Sequence, residues 1–253
     1  MIESAYRLAS SLEVESRRQE LTAQNIAGAQ IPGYKARHLS SHSFQKALAD
    51  QTEDPTMNSY GVKATDPKTH FGDGAIKNTS RPLDFALSGD GFFRVQTSEG
   101  QDLLTRTGRF QLDADGTLRT GEGHAVMAEG GQAVELPRDI SLRNLSVRED
   151  GTLQVVTPGE GAETLDKLDV ATVDDKQQLT RLSAKYYKPQ DQQELIAPQS
   201  QDVTVRNKCY EDANISPVRE MTEMIHTARR FQMGNKMIKM LRTISQQEAR
   251  KMS

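Results

Sequence analysis

The chain has 253 residues, enough for one or two cores, but only 35% are apolar, 5% are aromatic and 26% are charged; this low apolar content predicts that part of the chain folds alone and part does not. A net charge of -3 gives no reason to expect nucleic acid or an anionic membrane as partner, and a single Cys209 excludes an internal disulfide or zinc-finger framework. No run of about 18 apolar residues is present to insert in a membrane, and the start, MIESAYRLASSLEVESRRQE, lacks the basic and apolar regions of a cleavable signal peptide.

In chain order, residues 1–35 read as helix. From Ser4 to Ala29 the one Gly or Pro is Gly28, and Ile2, Ala5, Ala9, Leu12, Ser16, Gln19, Ala23 and Ile26 recur at steps of three and four. That is heptad spacing with a thin, partly polar seam. Such a helix buries too little to stand alone in water. It is either one amphipathic helix on a domain surface or a helix that needs partner helices. In NIAGAQIPGYK, Asn25 to Lys35, Pro32 cannot continue the helix and Gly33 permits a turn.

Residues 36–78 are poor in apolar side chains and read as an extended connector. From 79 to 205 the period changes to two. LDFALSGDGFFRVQT reads as strand, turn, strand, and DLLTRTGRFQLDADGTLRT continues with short alternating strands. Asp115-Gly116-Thr117-Leu118 returns as Asp150-Gly151-Thr152-Leu153, two Asp-Gly hairpins that suggest an antiparallel β domain. Read as a calcium loop, the first hairpin places Asp113, Asp115 and Glu122 suitably, but Gln111 stands first and strands flank the loop. Turn chemistry is the better reading. LSGDG is no nucleophile elbow, since Ala86 stands two before Ser88. No metal-site, phosphate-loop or dinucleotide motif occurs, so no catalytic residue, metal or cofactor is expected.

Residues 206–253 return to helix. Ser216 is an N-cap candidate with Pro217 at the first helical position. Val218, Met221, Met224, Ile225, Ala228, Phe231, Ile238, Leu241 and Ile244 form a wide apolar stripe, broadened by Met233, Met237 and Met240. The stripe is either core within this chain or an adaptable surface for neighbours. His226 lacks a second ligand at i±4 and reads as a packing or surface residue.

Three stretches carry a family resemblance. NIAGAQIPGYK resembles the NxANxxTPGYK/F signature of flagellar rod and hook proteins. Leu83 to Leu118 is similar to their central GDGFF…TRxGxFxxDxxG block, and Asn214 to Phe231 to their closing SNVxxVxEMxxMIxxxRxFE motif. Within that family TSRPLDFAL and EMTEMIHTARRFQM look most like the proximal-rod member; a distal-rod or hook-related axial subunit is the alternative, and a cell-wall-acting enzyme a more remote one. Gly28 stands where the family usually has Asn, Ile31 where it has Thr, and Ala213 where it often has Ser. Gly28 is expected to soften the last helical turn by about 1 kcal/mol.

The resemblance implies an α+β fold in which the long terminal helices pair as a coiled-coil layer and the antiparallel β domain lies outside it. It implies a structural rod subunit in the periplasmic part of the flagellar basal body, assembling into a helical tube that transmits torque and conducts exported subunits. Its partners would be copies of itself, other rod proteins and the flagellar type III export apparatus. The expected assembly interface comprises Ala5, Ala9, Leu12, Asn25, Ile26, Pro32, Gly33, Tyr34, Val218, Met221, Met224, Ile225, Ala228, Phe231, Ile238 and Leu241.

Overall fold

The computed structural model describes residues 2–43, 62–137, 140–157, 161–189 and 203–251; residues 44–61 of the expected connector lie outside them. The chain divides into two compact units, one of Met1–Ala27, Ala36–His70 and Ile215–Ser253, the other of Gly28–Lys35 and Phe71–Asn214.

The first unit holds helix α1 (Ile2–Gly28), the short strands β1 (Arg37–His38), β2 (Ser41–Ser43), β3 (Val62–Ala64) and β4 (Lys68–Thr69), and helix α2 (Pro217–Lys251). β1 pairs antiparallel with β4, and β2 with β3. α2 begins at Pro217, where the missing N–H costs nothing, and Glu220 N donates to Ser216 O at 3.0 Å.

The second unit is built from β5 (Ile76–Asn78), β6 (Phe85–Gly89), β7 (Phe92–Gln96), β8 (Asp102–Thr105), β9 (Phe110–Leu112), β10 (Leu118–Thr120), β11 (Ala125–Val126), β12 (Leu145–Val147), β13 (Thr152–Thr157), β14 (Gly161–Lys167), β15 (Val170–Ala171), β16 (Thr180–Arg181), β17 (Tyr186–Lys188), β18 (Val203–Asn207) and β19 (Cys209–Glu211). One sheet runs β16-β17-β8-β7-β11-β10-β9, with β15 also on β7, and a second runs β12-β13-β14. β18 pairs with β6 and β19 with β5. Every pairing among the described strands is antiparallel, which short turns between successive strands allow.

Two apolar clusters fill this unit, and neighbouring residues divide between them. Phe93, Leu103, Val170 and Tyr186 join the larger cluster, while Phe92, Leu104, Ala171 and Tyr187 join the smaller one. Successive side chains on a strand point to opposite faces, so each apolar doublet supplies both cores. Phe71, from the stretch expected to form no core, sits in the smaller cluster with ring centroids 5.8 Å from Phe92 and 5.3 Å from Tyr187. One aromatic ring, burying on the order of 200 Å², is enough to anchor a polar segment.

The class is α+β, but the expected pairing of the terminal helices as a coiled-coil layer does not stand. Such a layer needs apolar residues at the a and d positions of both helices to face each other. The buried positions of α1 are Val14, Leu21, Thr22, Asn25 and Gly28, two residues out of phase with the Leu12, Ser16, Gln19, Ala23, Ile26 seam. Ala9 and Ala23 are exposed. On α2 the buried positions are Glu220, Thr227 and Gly234, while Val218, Met221 and Ile225 are exposed. The two helices meet through polar groups and through Leu12, which packs on Gly234. Asn25 donates to Glu220 at 3.2 Å, Arg230 pairs with Glu15 at 3.8 Å, and a Cβ on Gly234 would stand 2.5 Å from Leu12 Cδ2. A seam holding Ser16 and Gln19 offers little apolar area, and the polar contacts win the inward face.

Candidate functional site

The turn that ends α1 is built into the second unit by polar contacts. Ile31 N donates to Gly28 O at 2.9 Å and Tyr34 N to Ile31 O at 3.2 Å, curling the chain back. Gly33 takes φ 70°, and a Cβ there would lie 2.6 Å from the Arg106 carbonyl carbon, so both conformation and space require glycine. Gly33 N donates to Glu211 O at 2.8 Å, and Thr107 Oγ1 donates to Pro32 O at 2.9 Å. The Arg181 guanidinium lies 4.5 Å over the buried Tyr34 ring and donates to Lys35 O at 3.1 Å.

Next to it is a buried charge cluster. Lys35 Nζ donates to Gly72 O at 2.9 Å and to Glu211 Oε1 at 2.7 Å, and Gly74 N donates to the same Oε1 at 2.7 Å. Arg106 Nη1 lies 3.5 Å from Glu211 Oε2, Nη2 donates to Gly89 O at 2.7 Å, and the guanidinium stacks 5.2 Å from the Phe92 ring centre. Burial pushes the Lys35 ammonium below its usual value; Glu211 opposes that shift and Arg106 adds to it.

In the first unit, Asn25 does comparable work. Its Nδ2 donates to Arg37 O at 2.9 Å and to Glu220 Oε2 at 3.2 Å, while Oδ1 accepts from Arg37 N at 3.0 Å. The amide thus satisfies both main-chain groups of Arg37, as a strand neighbour would, and holds a buried carboxylate in the first turn of α2, where the helix dipole also favours it.

The expected interface residues therefore fall into two sets. Asn25, Gly33 and Tyr34 are buried within the chain, and Pro32 is half-buried with its carbonyl used by Thr107. Ala5 belongs to α1; Leu12 and Ile26 are half-buried, and Ala9 is exposed. On α2, Met224, Ala228, Phe231, Ile238 and Leu241 are half-buried. Val218 is 75% exposed, and Met221, Ile225, Met233, Met237, Met240 and Ile244 are all about half exposed or more. At about 100° per residue Val218 and Ile225 lie opposite the Glu220–Thr227–Gly234 strip, Met221 flanks it on one side, and Met240, Met233, Ile244 and Met237 flank it on the other, at about 120° down to about 60° from Gly234. Arg229, Lys236, Lys239 and Arg242 are exposed beside them.

Lys35, Arg106, Glu211 and Glu220 carry the buried polar structure and were not singled out from sequence. Each is one charge in a charged neighbourhood, and Lys35 and Glu211 are 176 positions apart. Local spacing carries no sign of such a pair.

Two family models match the chain: "Flagellar hook protein FlgE/F/G D1 domain" over residues 86–155 and "Flagellar basal body rod FlgEFG protein C-terminal" over 209–251. The chain is 32% identical over 229 residues to the flagellar basal-body rod protein FlgF of Escherichia coli (strain K12), covering 87% of this chain and 86% of that protein. It is 31% identical over 229 residues to FlgF of Salmonella typhimurium, with the same 87% and 86% coverage. To the flagellar basal-body rod protein FlgG of Bacillus subtilis (strain 168) it is 25% identical over 255 residues, covering 94% of each chain.

Proposed function

The chain belongs to the flagellar hook and basal-body rod protein family and is a structural subunit of the basal-body rod; from that premise we propose that it is a proximal-rod subunit that joins its neighbours through the outward apolar face of α2. The observation that carries this reading is the row of large apolar side chains, from Val218 to Ile244, left exposed on α2. Exposed apolar surface of this extent on one helix marks an interaction site. Met233, Met237 and Met240 suit neighbours that are not identical, because the thioether chain adapts its shape. A patch used against a different patch on the next subunit is a heterologous contact, which grows open helical assemblies rather than closed dimers. Higher identity to FlgF than to FlgG supports the proximal placement.

On the same reading the subunit reaches the periplasmic rod through the flagellar type III export apparatus. There, with copies of itself and other rod proteins, it forms a tube that transmits torque and passes exported subunits. Its role is mechanical and uses no cofactor.

Met237→Asp and Met240→Asp place carboxylates at positions that are 57% and 63% exposed. Burying an unpaired carboxylate in an interface costs several kcal/mol. We expect the variant monomers to keep the far-UV circular dichroism of the parent chain while incorporation into isolated basal bodies and swimming are lost. Normal incorporation of both variants would show that this face is not the joint.

A further inference from the structure

We propose that Glu211 is a latch residue: the turn that ends α1 can seat only after β19 has brought the Glu211 carboxylate into place. Its Oε1 accepts from both Lys35 Nζ and Gly74 N at 2.7 Å, its carbonyl accepts from Gly33 N at 2.8 Å, and its Oε2 faces Arg106 Nη1 at 3.5 Å. One residue thus joins the 28–35 turn, the 72–74 loop and Arg106.

Charge makes the dependence one-way. The side chains of Lys35, Arg106 and Glu211 are each 1% exposed. Without Glu211, two enclosed cations would share no enclosed anion among the described residues, since Asp73, 3.8 Å from Arg106, is 57% exposed. Among the described residues Lys35 would keep as hydrogen-bond partner the Gly72 carbonyl at 2.9 Å. An enclosed charge stripped of its partner is costly, and the turn escapes that cost by leaving and returning Lys35 to water. β19, by contrast, has its own anchors. Cys209, Tyr210 and Glu211 pair with Asn78, Lys77 and Ile76 of β5, and Asp212 N donates to Ala75 O at 2.8 Å. Without Lys35, Glu211 still faces Arg106. So β19 forms without the turn, but the turn does not seat without β19. In a chain delivered N-terminus first, Lys35 waits for a residue 176 positions later. This latch stands independently of whether α2 is the assembly face.

Amide hydrogen exchange on the full-length chain tests it, comparing the parent with Glu211→Gln and the double variant Lys35→Met/Glu211→Gln. We expect Glu211→Gln to speed exchange across residues 28–35 roughly ten- to hundredfold, with β7 and β8 unchanged. The double variant, which no longer encloses the lysine charge, should recover most of the protection at 28–35. Unchanged exchange at 28–35 in Glu211→Gln overturns the proposal, and so does a uniform rise through β7 and β8 that the double variant shares. If Glu211→Gln alone fails to fold, a folded double variant with 28–35 protected sustains the latch, and an unfolded one overturns it.

Discussion

Gly28 occupies the last turn of α1, where a side chain would favour the helix, and Tyr34 explains why it has none. A Cβ at Gly28 would lie 2.3, 2.4 and 2.5 Å from three atoms of the Tyr34 ring. The ring has little freedom to yield, since it is buried with Arg181 over it at 4.5 Å. Alanine at 28 would gain about 1 kcal/mol of helix propensity and lose about 1–3 kcal/mol to overpacking, so Gly28→Ala is expected to be neutral to destabilising by about 2 kcal/mol. In a Tyr34→Ala background the obstruction is gone, and the same substitution should stabilise by up to about 1 kcal/mol. Guanidinium unfolding of the four chains of this cycle reads the change of sign. An equal loss in both backgrounds would mean that something other than Tyr34 excludes the methyl. The softened helix end expected from the sequence is thus the condition for a packed turn.

Among the elements, the hairpins show how far local chemistry reaches. In each of the segments 97–101, 113–117, 120–124, 128–132 and 148–152, the fourth residue is a glycine with positive φ whose N–H donates to the carbonyl of the first, and the N–H of the first donates to the carbonyl of the fifth. Two of these were legible as Asp-Gly. The others, TSEGQ, TGEGH and AEGGQ, share the bonding without the aspartate, because the left-handed position needs glycine while the residue before it is free to vary. Context then separates equal turns. A Cβ at Gly116 (φ 88°) would meet Leu136 O at 2.6 Å, whereas Gly123 (φ 91°) has nothing within 4 Å. Gly123→Ala should cost about 1 kcal/mol for the left-handed backbone, and Gly116→Ala a further 1–3 kcal/mol, about, for the forced shift of that carbonyl. Thermal unfolding of the two variants compares them directly; equal melting temperatures would refute the role given to Leu136 O. The helices were legible in extent, including Pro217 at the start of α2, but not in phase. Heptad spacing fits Leu12–Ser16–Gln19–Ala23–Ile26 as well as Val14–Arg18–Leu21–Asn25–Gly28. What selects the second is Asn25 reaching Arg37 and Glu220, partners no local pattern reveals.

For the whole molecule, the division of the chain into units does not follow the division into helices and strands. Gly28–Lys35, attached to α1, clusters with Phe71–Asn214, while α2 clusters with the body of α1. α2 runs for 35 residues with a narrow buried strip of Glu220, Thr227 and Gly234 and no apolar residue in it. So little burial gives local opening a low free energy, whereas Lys35 and Arg106, at 1% side-chain exposure, open only with the fold around them. Trypsin cuts after Lys and Arg and therefore distinguishes the two regions. In dilute monomer, early cleavage is expected after Arg229, Lys236, Lys239 and Arg242, all exposed, with the Lys35–Ala36 bond intact until the second unit unfolds. Intact-mass analysis of a timed digest follows both. Once subunits are packed in the rod, cleavage in α2 should slow by roughly tenfold or more, because covering the Met233–Ile244 face raises the cost of opening the helix. Early cutting at Lys35 would show that the turn is not seated in the monomer, and equal rates in α2 before and after assembly would show that its apolar face stays uncovered.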